Sequence, residues 1–267
     1  MSPEGVEAEA STRAREARRV VRRIAHPKIW QYDYLMLREI VAGLRRQAGA
    51  LNGGGNLEIL DVGCKYQPYR ELFEARAASY VGVDLAPFHG VGVRGDALAL
   101  PFRSDAFDLV VCTQAFYLMT DFRRALSELV RVTRSGGRIL LTTIGIWPYP
   151  PAVRLHRWSR RELEEALAEF GETRVEESGG LLQLVPQLAN ALLAMGVEGP
   201  LVQRHPRGGR LLALPLKGLY LSVNVLGMAA SRMIRAAARA GLGTARSMQD
   251  VDTHLAINYL AVLRPRK

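Results

Sequence analysis

The stretch LEILDVGCKYQPYRELF, Leu57 to Phe73, decides the fold. Its first six residues, LEILDV, are a short apolar run of the length of a buried strand. Gly63 ends that run, and PYRELFEAR predicts a helix opened by Pro68. Strand, glycine and helix in that order open a nucleotide-binding sheet. Loops that hold a dinucleotide carry further glycines, so that backbone amides can approach the pyrophosphate. Here Lys65 and Gln67 stand in the loop and only Gly63 remains. The loop is therefore poorly suited to a pyrophosphate, whereas a phosphate-free nucleoside would not need that geometry.

The alternation continues along the chain. SYVGVD (79–84), VGVRGD (91–96), FDLVVCT (107–113) and RILLTT (138–143) read as strands two to five. ETRVEES (172–178) is a sixth and HLAINYLAVLRP (254–265) a last one. DFRRALSELVRVT (121–133) is an amphipathic helix that Gly136 and Gly137 terminate, and SRRELEEALAEFG (159–171) is a helix capped by Ser159. Strands alternating with helices imply a mostly parallel sheet covered on both faces. The expected class is α/β, a Rossmann-like doubly wound, mostly parallel seven-stranded sheet with N-terminal helices and a helical insertion before the last strand.

Residues 4–24 and 30–48 read as two helices broken at His26-Pro27. The second carries Tyr34, Leu37, Ile40, Val41 and Leu44 on one stripe, and NGGGN (52–56) marks a boundary. Residues 179–250 leave the strand–helix rhythm and are leucine-rich with helical period. Leu219, Val223, Leu226, Ala230 and Met233 share one face there. Leu211 to Ala230 holds a single charge, Lys217, but Pro215, Gly218, Asn224 and Gly227 interrupt it. A membrane span, a helix lying on a membrane, and a lid or oligomer contact all stay open for it. The expected organisation is 1–52 for the N-terminal helices, 53–178 for the core, 179–250 for the insertion and 251–267 for the final strand.

The 267 residues are 48% hydrophobic and 23% charged, ordinary for a globular chain with a real core. The net charge of +10 comes almost entirely from scattered arginines. The dense run RAREARRVVRR, Arg13 to Arg23, reads as a solvated helix face or as a contact for an anionic surface. Cys64 and Cys112 are isolated, with neither disulfide-scaffold nor metal-ligand spacing. A reducing, cytoplasmic setting and no metal are expected. MSPEGVEAEA lacks the apolar run of a secretory signal.

In doubly wound sheets the ligand lies beyond the carboxyl ends of the strands. Acids collect there: Asp61 after strand one, Asp84 about 20 residues on, where an acid can hold ribose hydroxyls, and Asp96 after strand three. Thr113 and Gln114 follow strand four. Carboxylates suit hydroxyls, an amino group and an ammonium better than phosphate, which points to S-adenosylmethionine.

LEILDVGCKYQPYRELF, YVGVDL, RGDALALPFRSDAFDLVVCTQAF and LVRVTRSGGRILLTT, in that order, resemble the successive motifs of class I S-adenosylmethionine-dependent methyltransferases. The resemblance covers about residues 57–178 and the last strand. It implies that Asp61 and Gly63 line the methionine end, that Asp84 binds the ribose and that Leu85 faces the adenine. It likewise implies Asp96 and Ala97 at the adenine edge and Thr113 near the methionine moiety. Three departures stand out. Lys65 replaces a usual glycine, where it would pair with the methionine carboxylate or repel the sulfonium. Gln67 replaces another small residue. Tyr117 and Leu118 stand where many relatives carry an acid and a histidine.

Transfer from a sulfonium needs positioning and desolvation, and a base only if the nucleophile is a hydroxyl or a protonated amine. His156, in WPYPPAVRLHRWSR, is the candidate base among five histidines. Tyr34, Tyr117, Tyr149 and Trp158 are candidates for lining the acceptor. A leucine-rich insertion acting as a lid favours a small apolar acceptor: lipid-like, quinone-like, another natural product or a glycan. Nucleic acid is disfavoured; a peripheral membrane contact and a homodimer are further expectations. A non-methylating member of the fold, a membrane-associated binding protein and a nicotinamide dehydrogenase are the rival readings.

Overall fold

The computed structural model describes residues 3–51, 55–88, 90–148, 155–205, 208–241, 244 and 256–267, with side chains from Ser11 onward. Tyr149, His89 and His254 lie outside the described residues. Seven strands form one sheet: β1 (Leu57–Val62), β2 (Ala77–Asp84), β3 (Val93–Arg94), β4 (Phe107–Thr113), β5 (Thr133–Ile144), β6 (Gly171–Ser178) and β7 (Asn258–Pro265). Their order is β3-β2-β1-β4-β5-β7-β6. β1 to β5 pair in parallel, while β7 runs antiparallel between β5 and β6. The order reverses between β1 and β4, which opens a crevice beyond their carboxyl ends.

Alternation along each strand distributes its side chains to both faces. Leu60, Val110, Cys112 and Leu141 pack on one side against α3 (Phe122–Val132) and α4 (Arg160–Ala168). Ile59, Leu109, Val111 and Leu140 pack on the other against Ile40, Val41 and Leu44 of α2 (Tyr34–Gly49). Two ends are set by side chains the sequence advertises. Asp121 caps α3 by accepting from the Arg124 amide at 3.0 Å, and Ser159 with Glu162 forms a complete capping box on α4. α1 (Pro3–Ala25) precedes α2.

Four expectations are corrected. PYRELFEAR is not a helix but two single 3₁₀ turns, Arg70–Leu72 and Glu74–Arg76. β2 already begins at Ala77, so too few residues remain for a regular helix. Strand three shrinks to Val93–Arg94, because only those two residues pair with β2. Gly136 and Gly137 do not terminate α3, which ends at Val132; both lie inside β5. Gly171 starts β6 instead of closing α4, pressed so close to Arg264 that a Cβ would sit 2.1 Å from its carbonyl oxygen.

The insertion contains α5 (Leu181–Leu193), a π turn (Ala194–Glu198), α6 (Gly199–Arg204), α7 (Gly209–Leu212) and the long α8 (Leu214–Arg239). α5 and α8 pack side by side, and Gly227 of α8 meets Pro186 of α5, where a Cβ would be 2.6 Å from the ring. The stripe Leu219, Leu226 and Met233 faces outward, 42, 68 and 71% exposed. The buried residues of α8 are instead Tyr220, Asn224, Gly227, Ser231 and Ala238. Apolar periodicity found the helix and its shared stripe; that the stripe faces outward is what the structure adds.

Candidate functional site

A cavity of about 660 Å³ opens beyond the carboxyl ends of β1, β2 and β4. The sheet builds one half. Gly63, at φ +68, turns the chain out of β1; a Cβ there would lie 2.4 Å from the Ala115 Cβ, so only glycine keeps the passage open. Lys65 and Gln67 follow at φ +46 and +55. The loop therefore keeps left-handed turns at Lys65 and Gln67, where such loops usually carry glycines. Gln67 is held in place by donating to the Gly90 carbonyl at 2.8 Å and accepting from Arg70 at 3.2 Å. Its amide packs on Gly82, where a Cβ would meet it at 2.1 Å.

Asp84 closes β2 with both oxygens on loop amides, accepting from Lys65 at 2.8 Å and from Ala86 at 3.2 Å. Asp96 accepts from the Leu98 amide at 2.9 Å. Leu85 is 64% exposed on the rim. Gly63, Lys65, Asp84, Leu85, Asp96 and Ala97 all line the cavity, and so does Thr113. Asp61 does not. It is buried beneath, accepting from the Tyr80 hydroxyl at 2.8 Å, and its other oxygen has no hydrogen-bond partner among the described residues. Burial pushes its carboxyl up to about 7; the Tyr80 bond opposes this and the charge of Asp84 adds to it. The Lys65 ammonium lies 5.6 Å over the Phe88 ring and 5.7 Å over Tyr66.

The other half is apolar. Met36 and Leu37 of α2 face Tyr117, Ile144 and Trp147. Tyr117, Ile144 and Trp147 form a cluster with Leu184 and Ala191 of α5. Among the described residues, the only acid lining this half is Asp33, just before α2. Arg23 of α1 donates to its Oδ2, while its Oδ1 is buried without a hydrogen-bond partner among the described residues. Burial raises the Asp33 carboxyl above the ordinary carboxylate range, against the pull of Arg23.

Of the described residues expected to contact an acceptor, only Tyr117 reaches the cavity, and Tyr149 lies outside the described residues. His156 does not. Its amide donates to the Tyr117 carbonyl at 2.9 Å, and its ring packs on Phe122 and Trp158. Trp158 stacks on Phe116 at 5.6 Å in the core, and Tyr34 starts α2 away from the lining. Among the described residues of the helical insertion, no side chain lines the cavity. Arg23, Asp33, Met36, Phe88 and Trp147 are lining residues that sequence reasoning missed, while Gln114, read at the end of strand four, does line the cavity. Asp33 carried a faint signal, as the one acid entering the apolar stripe of α2.

The residues fit S-adenosylmethionine. The open backbone at Gly63 and the carboxylates of Asp84 and Asp96 at one strand edge are the donor and acceptor set a phosphate-free nucleoside needs. A methyltransferase domain model matches residues 60–141. Phthiotriol/phenolphthiotriol dimycocerosates methyltransferase of Mycobacterium leprae is 33% identical over 193 residues, covering 62% of this chain and 70% of that protein. Demethylmenaquinone methyltransferase of Thermobifida fusca is 39% identical over 69 residues, covering 26% of this chain and 29% of that one. The solved structure of the [4+2]-cyclase SpnF shares the fold, with a TM-score of 0.52 at 18% identity over 88% of this chain and 83% of its own. The chain belongs to the class I S-adenosylmethionine-dependent methyltransferases. It is an enzyme of that chemistry, with S-adenosylmethionine as its methyl donor.

Proposed function

We propose that the methyl acceptor is a small apolar molecule, lipid- or quinone-like, bound against Met36, Tyr117, Ile144 and Trp147. The observation that carries this reading is the single cavity joining a carboxylate-furnished strand edge to an apolar wall with one buried acid. The relatives support it, since their names give phthiotriol dimycocerosates and demethylmenaquinone as what they methylate.

When bound, S-adenosylmethionine supplies a methyl group already activated on a sulfonium. The chain's share is to hold, orient and dry the partners. In this reading Asp84 holds the ribose hydroxyls, and Asp96 with Ala97 meets the adenine edge. Leu85 and Phe88 flank the ring, while Gly63 and Thr113 leave room at the methionine end. Lys65 belongs to the ribose side, where its ammonium already rests on Phe88, so neither of the two roles weighed for it at the methionine end is favoured. Asp33 replaces His156 as the proton acceptor when the acceptor is a hydroxyl. Its free oxygen takes the proton, and Arg23 steadies the other.

The test is methyl transfer to long-chain alcohols, phenols and demethylated quinones, compared with tRNA. Transfer to one of the apolar compounds is expected. Asp33→Asn should slow transfer to a hydroxyl acceptor by about a hundredfold or more while S-adenosylmethionine binding is retained. Transfer to tRNA alone would refute the apolar reading; an unchanged rate in Asp33→Asn would remove Asp33 from the chemistry.

A further inference from the structure

α8 is built inside out for a helix of a water-exposed domain. Its inner face is polar and anchored: Asn224 donates to the carbonyls of Ile29 at 2.7 Å and Gln31 at 3.0 Å, and Asn190 of α5 donates to Asn224 at 2.9 Å. Its outer face carries Leu219, Leu226 and Met233, and Leu211 and Leu212 of α7 are 73 and 58% exposed beside it in sequence. Among the described residues nothing covers these side chains. An apolar surface of this extent marks an interaction site.

Charge decides between a second copy and a lipid surface. From Gly199 to Gly241 the chain has no Asp or Glu, while Arg204, Arg210, Arg232 and Arg239 are exposed. Lys217 is already paired with Glu198 at 2.6 Å. Arg18, Arg19, Arg22 and Lys28 border a neighbouring surface recess. Lys28 and the half-exposed Trp30 flank Ile29, whose carbonyl α8 holds. Two copies meeting through this face would set like charges together, whereas an anionic bilayer would neutralise them.

The seams of the hairpin decide how the helix would sit. The stretches Leu181–Arg204 and Gly209–Arg239 are each long and apolar enough to cross a membrane. Crossing would carry Asn190, Asn224 and Ser231 into hydrocarbon and tear Asn224 from residues 29–31. Lying flat keeps that anchored face on the protein and lowers the leucine face into the headgroups. We propose that α8, with the α7 turn, is an interfacial helix that seats this enzyme on an anionic lipid bilayer. The surface stands independently of which acceptor is used. For an apolar acceptor it adds a consequence, because the same hairpin holds the segment leading into Asp33 and Met36.

Flotation of the full chain with phosphatidylcholine vesicles, with and without phosphatidylglycerol, tests this. Binding is expected only with phosphatidylglycerol, weakened by high salt. Leu226→Gln with Met233→Gln should cut the bound fraction about tenfold or more, and Arg232→Gln with Arg239→Gln about tenfold. All four positions are water-exposed or nearly so, and circular dichroism checks that the variants fold. No flotation with either vesicle, or equal flotation with both, would overturn the proposal. So would a dimer in light scattering that Leu226→Gln with Met233→Gln dissolves, which would make the face a subunit contact.

Discussion

Lys65 shows how a loop can keep a shape after losing the residues that usually make it. At φ +46 it pays the steric cost of a left-handed backbone, on the order of 1 kcal/mol, which glycine avoids. Its ammonium touches only the faces of Tyr66 and Phe88 among the described residues. Replacing Lys65 by Gly and by Ala removes the same contacts, so the difference between the two isolates the backbone. Lys65→Gly should be more stable than Lys65→Ala by about 1 kcal/mol in urea unfolding; the reverse ranking would mean the left-handed turn is absent in solution. At this scale the sequence was half legible. Asp84, Asp96 and Gly63 were readable because their positions at strand ends follow from periodicity. The conformation of Lys65 and the burial of Asp61 under Tyr80 were not, because both depend on packing from β2 and its following loop.

At the scale of elements, the strands were legible and the helical insertion only in outline. β1 and β4 match their apolar runs because a parallel strand buried on both faces leaves a continuous apolar signature. The segment after β1 misled because a proline followed by helix formers says nothing of how soon the next strand must start. For α8 the stripe was legible as one face, but not which face the protein would cover. Here Asn190, Asn224 and Gln187 make the seam. Gln187 accepts from the Met36 amide at 3.0 Å and donates to the Tyr32 carbonyl at 2.6 Å, so α5 and α8 together clamp residues 29–36. Asn224→Leu should therefore destabilise the fold by about 2–4 kcal/mol, since it strands two part-buried carbonyls and the Asn190 amide. Hydrogen exchange should rise first in residues 29–36. A loss of less than about 0.5 kcal/mol would show that the seam is not a structural clamp.

For the whole molecule, topology places the strand-end acids and the N-terminal helices close the rest of the cavity. The reversal of strand order at β1 and β4 opens the crevice, and the strand-end acids furnish it. The long-range closure of its other half by α1 and α2 could not be read from a chain in one dimension, which is why Asp33 went unnoticed as a lining residue and the place of His156 outside the lining could not be foreseen. The account rests on the claim that the carboxylate of Asp84 grips a phosphate-free nucleoside. Isothermal titration of S-adenosylmethionine into the wild type and Asp84→Ala tests it directly. Binding to the wild type and a loss of about 1–3 kcal/mol in the variant are predicted; equal affinity in the two, or no binding to the wild type, would contradict it.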